Sequence, residues 1–119
     1  MNLEIETARG EGTSGMQLAT LLTELRRELV RILGDQFEAA YLYGSRARGE
    51  QRPDSDVDVL IVVRDAFDYA EMIRRTSMLV SALSLTHEIV ISRAFVSQER
   101  FERERSPFLM NVRREAVRV

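Results

Sequence analysis

Over residues 16–33 the apolar side chains Leu18, Leu21, Leu22, Leu25, Leu29, Ile32 and Leu33 recur every three or four positions. Glu24, Arg27, Glu28 and Arg31 occupy the opposite face. This is the period of an amphipathic helix, and Gly34-Asp35 supplies a stop. The pattern then changes. Residues 37–43 (FEAAYLY) predict a buried strand ending at Gly44. Residues 56–63 (DVDVLIVV) predict a second, β-branched and almost continuously apolar strand. Helical spacing returns over residues 66–84 through Phe67, Ala70, Ile73, Leu79, Val80 and Leu83. Residues 88–96 predict a third strand. Ser97, with Glu99 in the first turn, caps a short helix through Arg105. Ser106-Pro107 repeats that start signal for a last helix toward Val117. Residues 1–15 carry three glycines and little periodicity, which predicts a mobile arm with a short strand at residues 3–5. The rest, residues 16–119, is expected to form one domain.

Helices and strands in this order describe a small α/β (α+β) domain, a mixed β-sheet flanked by helices. At 119 residues the chain has room for one core. It contains no cysteine, so disulfides, thiolate-bound metals and a cysteine nucleophile are excluded. The single histidine, His87, excludes a two-histidine metal site within one chain and is expected to be structural. All 17 basic residues are arginine, which removes lysine chemistry and favours bidentate recognition of phosphate or carboxylate. A net charge of −2 argues against a general nucleic-acid binder, and no direct DNA binding is expected. No apolar run approaches a membrane span and no secretory signal is visible, so a cytoplasmic location is expected.

The chemistry concentrates in residues 44–58, GSRARGEQRPDSDVD. Gly44-Ser45 follows a strand, where a missing Cβ lets backbone approach a ligand and offers amides to phosphate oxygens. The residues after it are expected to make one helical turn, whose start favours an anion. Asp54 and Ser55 are expected to shape the turn before the second strand. Asp56 and Asp58 lie two apart on that strand, so both side chains leave one face. An isolated Asp-x-Asp commonly marks a solvated strand face neutralised by nearby arginines such as Arg46, Arg48 and Arg52. These acids, however, open a strand that is otherwise apolar. Two like charges about 6 Å apart repel by roughly 2–3 kcal/mol at an effective dielectric near 20. A divalent cation would offset that repulsion, and magnesium favours carboxylates combined with substrate phosphates.

Gly44-Ser45, ten residues, then Asp56-x-Asp58 and an apolar run resembles the signature of the DNA polymerase β-like nucleotidyltransferase superfamily. The string GSRARGEQRPDSDVDVLIVV resembles its minimal nucleotidyltransferase (MNT) group in particular. The resemblance implies that Gly44 and Ser45 hold the triphosphate of a nucleotide, with ATP as the expected donor. It also implies that Asp56 and Asp58 hold two magnesium ions. A third carboxylate, on a neighbouring strand in the family, maps to Glu88, the only acid on the predicted third strand. Arg46 and Arg48 are candidates to clamp phosphate, while Tyr43 is expected to pack rather than stack on a base.

The same resemblance implies transfer of AMP to a protein hydroxyl, as the antitoxin member of a HEPN/MNT toxin–antitoxin pair. The expected partners are a nucleoside triphosphate and a HEPN-type helical protein, with a homodimer allowed. Two alternatives stay open. One is a nucleotidyltransferase fold that has lost catalysis and neutralises a partner by contact. The other is a small-molecule nucleotidyltransferase.

Overall fold

The computed structural model describes residues 15–49 and 56–119. Apart from Gly15, which opens the first helix, the predicted arm and its short strand lie outside the described residues, as do the turn residues Arg52, Asp54 and Ser55. Helix α1 spans Gly15–Leu33 and is followed by a 3-10 turn, Gly34–Gln36. Strands β1 (Phe37–Tyr43) and β2 (Val57–Val63) then precede helix α2 (Tyr69–His87) and strand β3 (Ile91–Ser97). Two short helices, α3 (Gln98–Arg103) and α4 (Pro107–Glu115), lead to a two-residue strand β4, Val117–Arg118. The sheet runs β3-β2-β1-β4. β1 is antiparallel to both neighbours, whereas β2 and β3 are parallel across the α2 crossover. The mixed sheet flanked by helices is the architecture expected from the hydrophobic pattern.

Alternation along the strands sends side chains to two faces. One face carries Val57, Val59 and Ile61 of β2 into the larger core, closed by Leu21, Leu25 and Leu29 of α1 and Met72 and Leu83 of α2. The other carries Leu60 and Val62 beneath Leu109 and Val112 of α4. β2 lies between β1 and β3 and is covered on both sides, which accounts for its nearly unbroken apolar sequence.

The termini of the elements follow side-chain chemistry. Asp68 caps α2 by accepting from the Glu71 amide at 3.2 Å. Ser97 and Ser106 cap α3 and α4 as expected, each accepting from the amide three residues on. The predicted third strand needs correction. α2 runs on to His87, Glu88 is its left-handed cap at φ 53°, and β3 begins only at Ile91. No glycine or asparagine marks this stop; a glutamate takes the strained conformation. His87 Nε2 stands 3.5 Å from a Glu24 carboxylate oxygen, linking α2 to α1.

Arg93 fastens β3 to α2. Its guanidinium donates to Thr76 Oγ1 at 2.7 Å, to the Ile73 carbonyl at 2.9 Å and to Ser77 Oγ at 3.1 Å. Arg93→Met keeps the stem and deletes these charge-assisted bonds. Urea unfolding is expected to show a loss of about 1–3 kcal/mol, whereas an unchanged midpoint would mean the bonds contribute nothing net.

Candidate functional site

Asp58 pairs with Tyr43 of β1 on one side and Ser92 of β3 on the other. By alternation it shares the Leu60 and Val62 face, so the carboxylate sits at the edge of the smaller core. Asp58 is half-buried, while Asp56, two residues earlier on the same face, is exposed. Burial raises the Asp58 pKa above the usual carboxylate range, and the neighbouring Asp56 charge raises it further. Tyr43 responds in the same way, its pKa raised by burial first and by Asp58 second. The acid pair is therefore a concentration of negative charge that the surrounding protein does not fully offset.

The Gly-Ser turn meets this cluster directly. Gly44 has φ +78°, and a Cβ placed on it would stand 2.5 Å from Asp58 Oδ2. Only glycine accommodates both the left-handed backbone and the adjacent carboxylate. After it, the amides of Ala47 and Arg48 donate to the Gly44 carbonyl at 3.1 and 3.2 Å, forming the expected helical turn. The two halves of the sequence motif thus occupy one place.

The two arginines diverge from each other. Arg46 is only 6% exposed, buried within the turn rather than extended into solvent. Burial lowers its pKa, and the Asp56 carboxylate opposes that shift. Arg46 thus lies within the field of the acid pair, where it offsets part of the charge. Arg48 reaches the far side of the turn and pairs with Glu115 of α4 at 3.6 Å. Between turn and α4 lies a recess of about 170 Å³, lined by Tyr43, Gly44, Arg48, Phe108 and Asn111 among others. Tyr43 packs there edge-on against Phe108, with ring centroids 5.3 Å apart. A wider recess, about 510 Å³, lies on α1 around Leu22, Arg26 and Val30. It contains no residue of the motif.

Glu88 does not join the pair. It caps α2 ahead of β3 and is exposed, and no group of three acidic or histidine side chains among the described residues converges on a metal position. The residue beside Asp58 on β3 is Ser92, followed on the same face by Ala94. The position beside Asp58 on β3 therefore carries a hydroxyl and not a carboxylate. Sequence reasoning missed Ser92 because it depends on parallel-strand register. It also missed the burial of Arg46, since an arginine in a glycine-rich loop carries no sign of burial.

The donor set still fits a hard divalent cation. Two carboxylates on one strand face, one with raised proton affinity, match magnesium's use of one or two protein carboxylates plus phosphate oxygens.

Comparison with known proteins sharpens this. The family described as polymerase beta, nucleotidyltransferase, matches residues 27–104. A proposed protein adenylyltransferase of Methanocaldococcus jannaschii is 34% identical over 77 residues, 65% of this chain and 77% of that protein. A solved toxin–antitoxin complex with AMP-PNP aligns at TM-score 0.52 and 21% identity, covering 79% of this chain and 68% of the other. A proposed nucleotidyltransferase of Sulfolobus solfataricus aligns at TM-score 0.53 and 18% identity, covering 85% and 83% of the two chains. At such identities the structural matches speak to the fold. Among the described residues, no helix is long and apolar enough to cross a membrane.

Proposed function

Because the chain belongs to the polymerase beta nucleotidyltransferase family, we propose that it transfers AMP from ATP to a hydroxyl of a protein partner, as the antitoxin-type member of a pair. The observation that carries this reading is the contact of the Gly44 backbone with the Asp58 carboxylate, which joins a phosphate-binding turn to an acid pair. The Methanocaldococcus jannaschii relative supports protein as the acceptor. The fold match to toxin–antitoxin structures supports a partner chain, which we propose is a HEPN-type helical protein.

In this mechanism Gly44 and Ser45 bind the triphosphate through the turn, and buried Arg46 holds the acid pair in place electrostatically. Asp56 and Asp58 would hold magnesium, which when bound neutralises charge on carboxylates and phosphates. The acceptor hydroxyl oxygen bonds to the α-phosphorus in line as the bond to pyrophosphate breaks, and its proton passes to Asp56, the exposed acid of the pair. Arg48 lies at the recess beside the turn, where it can meet a phosphate or ribose oxygen once freed from Glu115.

The test is calorimetric titration of ATP with and without magnesium. Affinity is expected to weaken at least tenfold when magnesium is withheld, a loss of about 1.4 kcal/mol. Equal affinity in both conditions would overturn this reading of the site.

A second reading is favoured by Ser92. In place of a third carboxylate it leaves the acid pair without a dedicated base on β3, which suits a fold that neutralises its partner by contact alone. Incubation with ATP, magnesium and a co-purified partner separates the two. A mass increase of one AMP on the partner supports transfer. Stable binding with no adduct supports the contact-only module.

A further inference from the structure

The outer face of α2 is unlike the rest of the surface. In a chain that is 30% charged, residues 76–86 (TSMLVSALSLT) carry no charge. Thr76, Val80 and Leu83 turn inward, so Ser77, Met78, Ser81, Ala82, Leu85 and Thr86 form the exposed side. Met78 is 86% and Leu85 80% exposed, the two most exposed large apolar side chains among the described residues. The neighbouring helix α1 shows the contrast, its outer face carrying Arg27 paired with Glu24 and Glu28, and Arg31 paired with Glu28. Two large apolar groups on an uncharged helix face, with small residues between them, are the composition of a close helix–helix contact.

The spacing identifies the occupant. Met78, Ser81, Ala82 and Leu85 are related by three, four and seven positions, so they form one seam along the helix. That seam is symmetric about the point between Ser81 and Ala82. Under a two-fold axis through this point, antiparallel helices bring Met78 of one copy against Leu85 of the other. Ser81 and Ala82 meet their own counterparts at the crossing, where small side chains allow close axes. At the ends, Arg74, which pairs with Glu71 in its own helix, falls opposite the region of Glu88 of the other copy, so charges of opposite sign meet there. A surface complementary to itself is what an isologous dimer requires.

We infer that the chain self-associates through α2 as an antiparallel two-fold dimer centred between Ser81 and Ala82. α2 covers the larger core, whereas Asp56 and Asp58 belong to the opposite sheet face, so both sites stay open in the dimer. The inference stands independently of the transfer reaction.

The absence of native cysteine makes an introduced thiol a unique reporter. Sedimentation equilibrium of the full chain is expected to show a concentration-dependent monomer–dimer equilibrium. Ser81→Cys should oxidise to a covalent dimer at least tenfold faster than Thr20→Cys, a control on the exposed side of α1. Met78→Glu is expected to give monomer, with the thermal unfolding that the wild type shows when diluted to monomer. Adding Leu85→Lys in the same chain should restore association, since the axis sets residue 78 against residue 85 of the second copy. A chain that stays monomeric at millimolar concentration would overturn the inference. So would a dimer in which Ser81→Cys cross-links no faster than the control, because association would then use another face.

Discussion

Asp58→Asn is expected to lower AMP transfer by about 10³-fold or more while leaving the protein at least as stable as wild type. The two effects separate because they have different physical causes. In the proposed reaction, transfer depends on a negative oxygen at the place where the turn and the strand meet, and a neutral amide would hold a divalent cation there far more weakly. Stability depends on a charge that is held half-buried beside another charge. The Asp58 pKa is raised in the folded state by burial and by Asp56, so the native protein binds its proton more tightly than the unfolded chain does. Between the ordinary carboxylate pKa and the raised one, the native state therefore carries more protons. Stability contributed by this group falls as pH rises through that window and stays reduced at neutral pH. Removing the charge should add on the order of 1 kcal/mol at neutral pH, and the gain should fade as acid protonates the wild-type carboxyl. Urea unfolding at neutral and acid pH, beside a transfer assay, reads both effects. A loss of several kcal/mol at neutral pH would make Asp58 an ion-pair member of the fold.

The same pair illustrates how far the sequence can be read. Asp56 and Asp58 stand out because they interrupt an apolar strand, and an unexplained charge in such a context is legible without coordinates. The two long helices and three longer strands are legible for a related reason: hydrophobic period reports which side of an element is buried. The residue that stands beside Asp58 on β3 was not legible. It depends on the register of β3 against β2, set by where α2 ends, and α2 ends on a left-handed glutamate rather than a glycine. A three-residue error in that boundary moved Glu88 onto a strand it does not join. β4 was missed because two residues carry no period at all. The α2 seam was hidden for the opposite reason, since Met78 and Leu85 satisfy the helical period yet face outward.

Gly44→Ala is expected to reduce transfer by about 10²-fold or more, by displacing a carboxylate rather than by removing one. Two penalties arise at this position. A left-handed backbone costs an L-residue about 1–2 kcal/mol, and that term acts on stability. The added Cβ would also stand 2.5 Å from Asp58 Oδ2, which must rotate away, and that term acts on the site. Gly34 isolates the first penalty from the second. Its φ is +56°, and a Cβ there meets nothing within 4 Å. Gly34→Ala should therefore lose a similar ~1 kcal/mol of stability and keep its activity. Gly44→Ala should lose comparable stability, and its affinity for ATP with magnesium should fall toward the affinity without magnesium. Thermal unfolding, titration and transfer assays on the two variants make the comparison. If Gly34→Ala loses as much transfer as Gly44→Ala, the defect comes from weakened folding, and the contact between Gly44 and Asp58 is not what forms the site.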